Sequence, residues 1–374
     1  MKVAMLTDCY PPRLGGIESQ VRDLSRRLVA AGHEVEVFTA TAGPDGERGG
    51  ATQRGDDGVV VHRFAIPVPG GIPVNPFAPR EVRRRLDAGG FDVAHAHLGV
   101  LSPFATELVP VALSVGVPVT ATFHCVIDRS GWLMRTVGHL AHWARRGVAL
   151  NAVSSMAARR VSAAARGADV RVVPNGVEAA WWHPGPAAAA GHPVHVVSAM
   201  RLVTRKRPVA MLEVLRAARA ALDPAVPLRA TIVGAGPQRW LMERHLRTRG
   251  MDWVDLPGRV TKDELRRLHH GADVYLSTTR LEAFGIATLE ARAAGLPVVA
   301  RRGTGADDFV TDGVDGLLAD TDAALASALA RLAGDDALRG TMHAHLLATA
   351  PAQDWPGVVE VTLGEYHRAG VPVA

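Results

Sequence analysis

The sequence predicts a chain of two tandem α/β domains, each built on a parallel sheet. Three observations carry that reading. Short apolar runs alternate with stretches of helical period, the alternation halts at a tract rich in Pro, Ala and Gly before starting afresh, and 374 residues are enough for two separate cores.

Val3 to Leu6 reads as the first strand, followed by a Gly/Pro-rich loop. Apolar residues at helical spacing, Val21, Leu24 and Leu28, lead to the stop Ala31-Gly32 and a new strand from Val35 to Phe38. Strand, loop, helix, strand is the unit of a parallel sheet. It recurs through Val93–Ala96, Val117–Thr122 and Val148–Val153, whose uniformly apolar character suits strands covered on both faces. The uncharged stretch from Val109 to Phe123 holds two prolines, is too short to span a bilayer, and reads as buried strand. A strand ends at Val172-Val173-Pro174-Asn175-Gly176. The expected divisions are an N-terminal domain over 1–180, a linker over 181–193 and a C-terminal domain over 194–354. In the second domain Val194–Ser198, Leu228–Val233 and Val274–Ser277 are strands, with helices over Pro208–Leu222 and Pro237–Arg249. The last helix, Trp355–Arg368, is expected to carry residues 355–374 back to the first domain.

Composition excludes several classes. With 48% hydrophobic and 21% charged residues the chain is neither a disordered polyelectrolyte nor a membrane bundle. Five uncharged residues between Lys2 and Asp8 are too few for a secretion signal, and two cysteines, Cys9 and Cys125, suit a reducing compartment. A cytoplasmic protein is expected. Net charge is +5, and only Lys2, Lys206 and Lys262 among the 42 cations are lysines. Candidate basic faces are Arg22, Arg26 and Arg27, then Arg80, Arg83, Arg84 and Arg85, which suit peripheral contact with an acidic membrane surface. No aromatics interleave the basic runs, which speaks against nucleic acid.

The most informative stretch runs from Arg280 to Pro297. It follows a strand, its helix should start near Gly285, and Gly295 with Pro297 stops it. The first N–H groups of such a helix are orphan donors at a favourable dipole, so Phe284, Gly285 and Ile286 suit a ligand that is anionic or hydroxyl-bearing. Glu282 precedes that end, and Glu290 lies a turn inside it as an acceptor for sugar hydroxyls. Arg201 and Lys206 occupy a loop at the carboxyl end of the Val194–Ser198 strand, where ligands of such sheets bind, and suit a diphosphate. Gly15-Gly16, before the first helix, allow close approach of backbone to a ligand. His124 ends a strand of the first domain. His95 and His97 share a strand face and read as structural; Asp320-Thr321-Asp322 resembles a metal-binding spacing but reads as a helix N-cap, and no metal is expected. Neither a GxGxxG fingerprint nor a GxxxxGK[ST] loop is present, which weighs against hydride transfer and ATP hydrolysis.

Taken in order, these motifs resemble glycosyltransferase family 4, retaining enzymes of the GT-B fold. The resemblance extends from Tyr10-Pro11-Pro12…Gly15-Gly16-Ile17-Glu18 through Asp92-Val-Ala-His95-Ala-His97, Thr122-Phe123-His124, Val153-Ser154-Ser155, Pro174-Asn175-Gly176-Val177 and Arg201…Lys206. It continues through Gly234-Ala-Gly236-Pro237, Gly258-Arg259-Val260 and the Glu282…Glu290 pair to Trp355 and Tyr366. It implies two Rossmann-like domains facing across a crevice, with a UDP- or GDP-sugar as donor substrate and no cofactor. By the resemblance Arg201 and Lys206 hold the donor diphosphate and Glu290 the ribose. Glu282, with the backbone of Ala283, Phe284, Gly285 and Ile286, holds the transferred sugar; backbone near Val260 meets the base; His124 lies beside the sugar and Gly15-Gly16 close over the phosphates. Family members usually carry Gly where Met200 and Arg207 stand. The expected activity is hexosyl transfer to an acceptor hydroxyl of a small polyol, an aminocyclitol or a lipid-linked alcohol. A GT-B epimerase or phosphorylase is the competing enzyme class, and a sugar-nucleotide-binding protein without activity the third.

Overall fold

The computed structural model describes residues 1–13, 15–55, 57–67, 74–127, 138–183 and 193–372. The chain divides into two compact units, Met1–Gly176 with Trp355–Ala374, and Val177–Asp354.

In the first unit the elements follow in the order β1 (Lys2–Thr7), α1 (Gly16–Ala30), β2 (Glu34–Thr39), β3 (Ala51–Arg54), β4 (Val60–Arg63), α2 (Ala78–Gly89) and β5 (Val93–Leu98). They continue with α3 (Pro103–Ser114), β6 (Val119–Phe123), α4 (His139–Arg145), β7 (Ala149–Ala152), α5 (Ser155–Ala164) and β8 (Val170–Val172). The sheet order is β3-β4-β2-β1-β5-β6-β7-β8, parallel throughout except for β3, which pairs antiparallel with β4. The β3–β4 pair is absent from the apolar pattern because its half-exposed edge strand, Ala51-Thr52-Gln53-Arg54, alternates intermediate and exposed residues.

The second unit opens with the short α6 (Ala179–Trp182) and then β9 (Val194–Ala199), α7 (Pro208–Ala221), β10 (Leu228–Val233), α8 (Arg239–Arg249), β11 (Val254–Gly258), α9 (Lys262–His270) and β12 (Val274–Leu276). It closes with α10 (Ile286–Ala293), β13 (Val298–Arg301), β14 (Gly316–Ala319), α11 (Asp322–Gly334) and α12 (Asp336–Ala348). Its order, β11-β10-β9-β12-β13-β14, is the doubly wound arrangement in which the winding reverses between β9 and β12. Leu212, Leu215, Ile232, Leu276, Leu325 and Leu329 form its core. The last helix, α13 (Trp355–Arg368), belongs to the first unit, where Trp355, Val358 and Tyr366 join Met5, Val21 and Leu28 in the core on one sheet face.

Two expectations are corrected. The stretch from Val109 to Phe123 is not one strand: its first six residues finish α3, which contains Pro110, and β6 starts only at Val119. Phe104, Ala105, Leu108, Val109 and Ala112 recur at helical spacing and are buried on one side, so burial on a helix stripe imitates the uniform apolarity of a strand. The division near residue 180 also shifts. Val177 bridges to Asp354, the Ala179 N–H donates to the Asp354 carboxylate, and the fully buried Trp182 packs its ring on His269, so 177–182 belong to the second unit. Of the expected linker, 184–192 lie outside the described residues.

Candidate functional site

In a doubly wound sheet, ligands bind outside the carboxyl ends of the strands where the winding reverses. In the second unit that place is formed by the loops after β9 and β12. The loop after β9 runs from Met200 through a 3₁₀ turn at Thr204–Lys206 to Arg207, and α7 starts at Pro208, whose fixed φ suits a first helical position. The loop after β10 buttresses it backbone to backbone. Leu202 N–H donates to the Ala235 carbonyl and Gln238 N–H to the Leu202 carbonyl, each at 3.0 Å. Gly234 has a φ of 137°, and a Cβ on it would stand 1.8 Å from the Met200 carbonyl oxygen; on Gly236 it would stand 2.4 Å from that of Leu202. The Gly-x-Gly of residues 234–236 thus serves loop packing.

Three consecutive cations of this loop reach across to the loop after β12. Arg205 donates to the Leu281 carbonyl at 3.4 Å, Lys206 forms an ion pair with Glu282, and Arg207 donates to the Thr278 carbonyl at 3.0 Å. Glu282 is followed by buried Ala283 and Phe284, by Gly285 in the left-handed region at φ 97°, and by Ile286, the first residue of α10. Gly305 supports this turn from behind, its N–H donating to the Glu282 carbonyl at 2.9 Å. Exposed Arg201 has no ion pair among the described residues. Burial first, then the Glu290 and Glu282 carboxylates, push the Tyr275 hydroxyl above its ordinary range, so both acids act on one neighbourhood. Val260 lies at the carboxyl end of β11, where Gly258 accepts from the Gly234 N–H at 2.8 Å. Lys206, Glu282, the start of α10 and Glu290 are thus assembled within one unit.

In the first unit Gly16 opens α1 and Gly15 precedes it with extended backbone at φ 176°, so a side chain there is not excluded by φ. His124 follows β6. Its Nδ1 is 3.2 Å from Asn175 Oδ1 and its Nε2 2.9 Å from His97 Nδ1, while His95 bonds Thr122 at 2.8 Å and Tyr366 at 3.1 Å. The His95 and His97 rings stack at 4.0 Å. Burial lowers His95 to about 3 and His124 to about 4, and His97 falls well below the usual range, so the array is uncharged at neutral pH. These rings line a cavity of about 20 Å³, the room of roughly one water, with Gln20, Asn175 and Trp355. Gln20 clasps Gly176 through both its N–H and its carbonyl, a contact that no sequence signal announced.

The Asp320-Thr321-Asp322 triplet caps α11 through Thr321, whose hydroxyl accepts from the Ala324 N–H at 3.0 Å, while Asp322 takes Arg207, Arg301 and, at 3.7 Å, Arg280. Arg22 pairs with Asp23, Arg26 with Asp57, and Arg84 and Arg85 with Glu81, so much of the expected basic surface is neutralised locally. Among the described residues no helix is long and apolar enough to cross a membrane, and no three His, Cys, Asp or Glu gather as a metal site.

The sequence profile described as Glycosyltransferase Family 4 matches residues 14–181, and that of Glycosyl transferases group 1 matches 193–335. A D-inositol 3-phosphate glycosyltransferase of Pseudarthrobacter chlorophenolicus is 31% identical over 95% of this chain and 90% of its own. The chain belongs to glycosyltransferase family 4. A phosphatidyl-myo-inositol mannosyltransferase of Mycolicibacterium smegmatis is 33% identical to this glycosyltransferase, over 96% of the chain and 92% of its own. Among solved structures, Anabaena HepE in complex with UDP and glucose superposes with a TM-score of 0.74 at 20% identity, over 97% of this chain and 98% of that one. The glycosyltransferase therefore has the GT-B fold, its two Rossmann-like units being those described above.

Proposed function

We propose that this glycosyltransferase moves a hexose or aminohexose from a UDP- or GDP-sugar to a hydroxyl of an inositol-type acceptor, free or lipid-linked, with retention of the anomeric configuration. The observation that carries the proposal is the assembly of Lys206, Glu282 and the α10 N-terminus where the winding of the second sheet reverses. Arg201 and Lys206 bind the diphosphate there. As the glycosidic bond stretches, negative charge builds on the departing diphosphate, and preorganised cations stabilise it more in the transition state than in the ground state. Glu282 holds the Lys206 ammonium in place and, with the amides of Phe284 to Ile286, accepts the sugar; Glu290 accepts from the ribose. A phosphate oxygen of the leaving group takes the proton of the acceptor hydroxyl on the same face. His124, neutral at physiological pH, offers a hydrogen bond rather than a charge. Relatives named for inositol 3-phosphate and phosphatidylinositol support the acceptor class.

Peripheral membrane contact is proposed for the heads of α2 and α3. Both are crossover helices on one sheet face, so both N-termini stand at the carboxyl ends of the strands. Phe77 and Leu101 at these heads are 77% and 83% exposed, and Arg80 and Arg83 follow Phe77 on the exposed side of α2. Apolar tips with flanking cations suit an anionic interface.

The test is incubation with UDP- and GDP-sugars together with inositol, inositol phosphate or phosphatidylinositol vesicles, the anomeric configuration of the product being read by NMR. A glycosylated inositol with the donor's configuration is expected. Inversion, or donor consumption without transfer, refutes the proposal. Arg201→Ala or Lys206→Ala should each slow turnover about 100-fold, about 3 kcal/mol of barrier, by analogy with removing one preorganised donor.

A further inference from the structure

Arg207 has the backbone conformation of a glycine and keeps a long side chain. Its φ and ψ are 58° and 46°, in the left-handed region that only Gly and, less readily, Asn and Asp occupy without strain. Arginine stands at this position despite that strain, and its contacts offset it. Nη1 donates to the Thr278 carbonyl at 3.0 Å and to Asp322 Oδ1 at 2.9 Å, while Nη2 donates to Asp322 Oδ2 at 2.5 Å. This planar fork on a carboxylate has a geometry that lysine cannot reproduce. Asp322 is itself fixed, as the first residue of α11 and through Arg301 Nη1 at 2.7 Å. The Arg207 fork therefore joins three elements: the end of the Lys206 loop, the strand exit at Thr278 that leads to Glu282, and the head of α11. Among the described residues Lys206, one residue before, has its pairing with Glu282 alone to orient its ammonium.

We infer that Arg207 is a positioning residue: by clamping its loop to Thr278 and Asp322 it holds Lys206 in register with Glu282 for the leaving diphosphate. This rests on the donor reading given above. Glycine at 207 would satisfy the backbone better than arginine and cannot make the clamp, so the two roles of the position separate cleanly.

Four proteins decide it: wild type, Arg207→Gly, Lys206→Ala and the double variant, with Asp322→Asn as an independent cut of the clamp. Kd for UDP and GDP is measured by calorimetry, and kcat and KM for donor and acceptor separately. Arg207→Gly is expected to lower kcat/KM for the donor by about tenfold or more, through both kcat and KM, leaving the acceptor KM unchanged. In the Lys206→Ala background the same substitution should have almost no further effect, because a residue that acts through Lys206 has nothing left to position. Wild-type activity in Arg207→Gly, or a full additional loss on top of Lys206→Ala, overturns the inference. A variant that loses only thermal stability, with unchanged kinetics in the folded fraction, also overturns it. If Arg207→Gly does not fold, Asp322→Asn with unchanged donor kinetics is the refuting result. Failure of wild type to bind either nucleotide removes the donor reading itself, an outcome separate from these.

Discussion

Acidification should destabilise the first unit through its buried histidines. His95 faces Thr122, Tyr366 and the His97 ring, His97 faces Met5 and His124, and His124 faces Asn175; none meets a carboxylate among these partners. A histidine whose folded pKa is lowered contributes stability fully above its unfolded pKa, and loses it as pH falls from there toward the folded value. With an unfolded pKa of about 6.5, each ring that stays neutral in the folded state costs about 1.3 kcal/mol between pH 7.5 and 5.5, so the three together cost about 4 kcal/mol. Asp8 acts in the opposite sense. Burial raises its carboxyl from 3.8 to about 6, against the bonds it accepts from the Phe104 and Ala105 N–H groups. Its protonation in the folded state returns about 0.8 kcal/mol over the same interval, which leaves a net loss of about 3 kcal/mol. That is a large share of the roughly 5–15 kcal/mol typical of a domain. Because His269 of the second unit is also lowered, to about 3, the loss is best read locally, by hydrogen exchange of β5 and β6 peptides corrected for intrinsic rates. Opening free energies that fall by about 3 kcal/mol are expected, with His95→Gln reducing the fall by about 1.3 kcal/mol, roughly two-fifths of it. A flat or rising profile would show that the rings take up protons without leaving the fold, and the reasoning would be wrong.

Two other perturbations test the second unit. Gly305→Ala places a Cβ 2.4 Å from both the Ala283 carbonyl oxygen and the Phe284 Cα, and neither backbone atom can swing aside. It should weaken nucleotide binding by displacing the start of α10, measured as a raised Kd for UDP or GDP; unchanged affinity would show that the turn is not held from behind. The Arg292–Asp315 pair is buried, with side chains 8% and 2% exposed and N···O distances of 3.0 and 3.2 Å. Asp315→Asn or Arg292→Met should cost about 3–5 kcal/mol in urea unfolding, because each leaves a charge or polar group without its partner. A joint apolar replacement should recover much of that loss, and its failure to do so would assign the pair a net stabilising role.

The order of strands and helices was legible because burial imposes period two or uniform apolarity on strands and period 3.6 on helices. Where an element breaks that link it escaped: the edge strand β3 has no buried face, and α3 is apolar enough to pass for strand. The site was legible where one loop carries its own chemistry, as in Lys206 or the run from Glu282 to Ile286. Gln20 on Gly176, Asp8 on the α3 head and Arg207 on Asp322 were not, since each joins residues 96 to 156 positions apart along the chain or, for Arg207, 115 apart.

Local pattern alone indicated the alternation of strand and helix in both units, the starts of α7 and α10 and the residue types able to meet a diphosphate, because hydrophobic period, glycine and proline act within a few residues of themselves. Only the folded chain decided which cation meets which acid. The doubly wound order brings the loops after β9 and β12 side by side although some 80 residues separate them, and that adjacency is a property of strand pairing that spacing along the sequence does not encode.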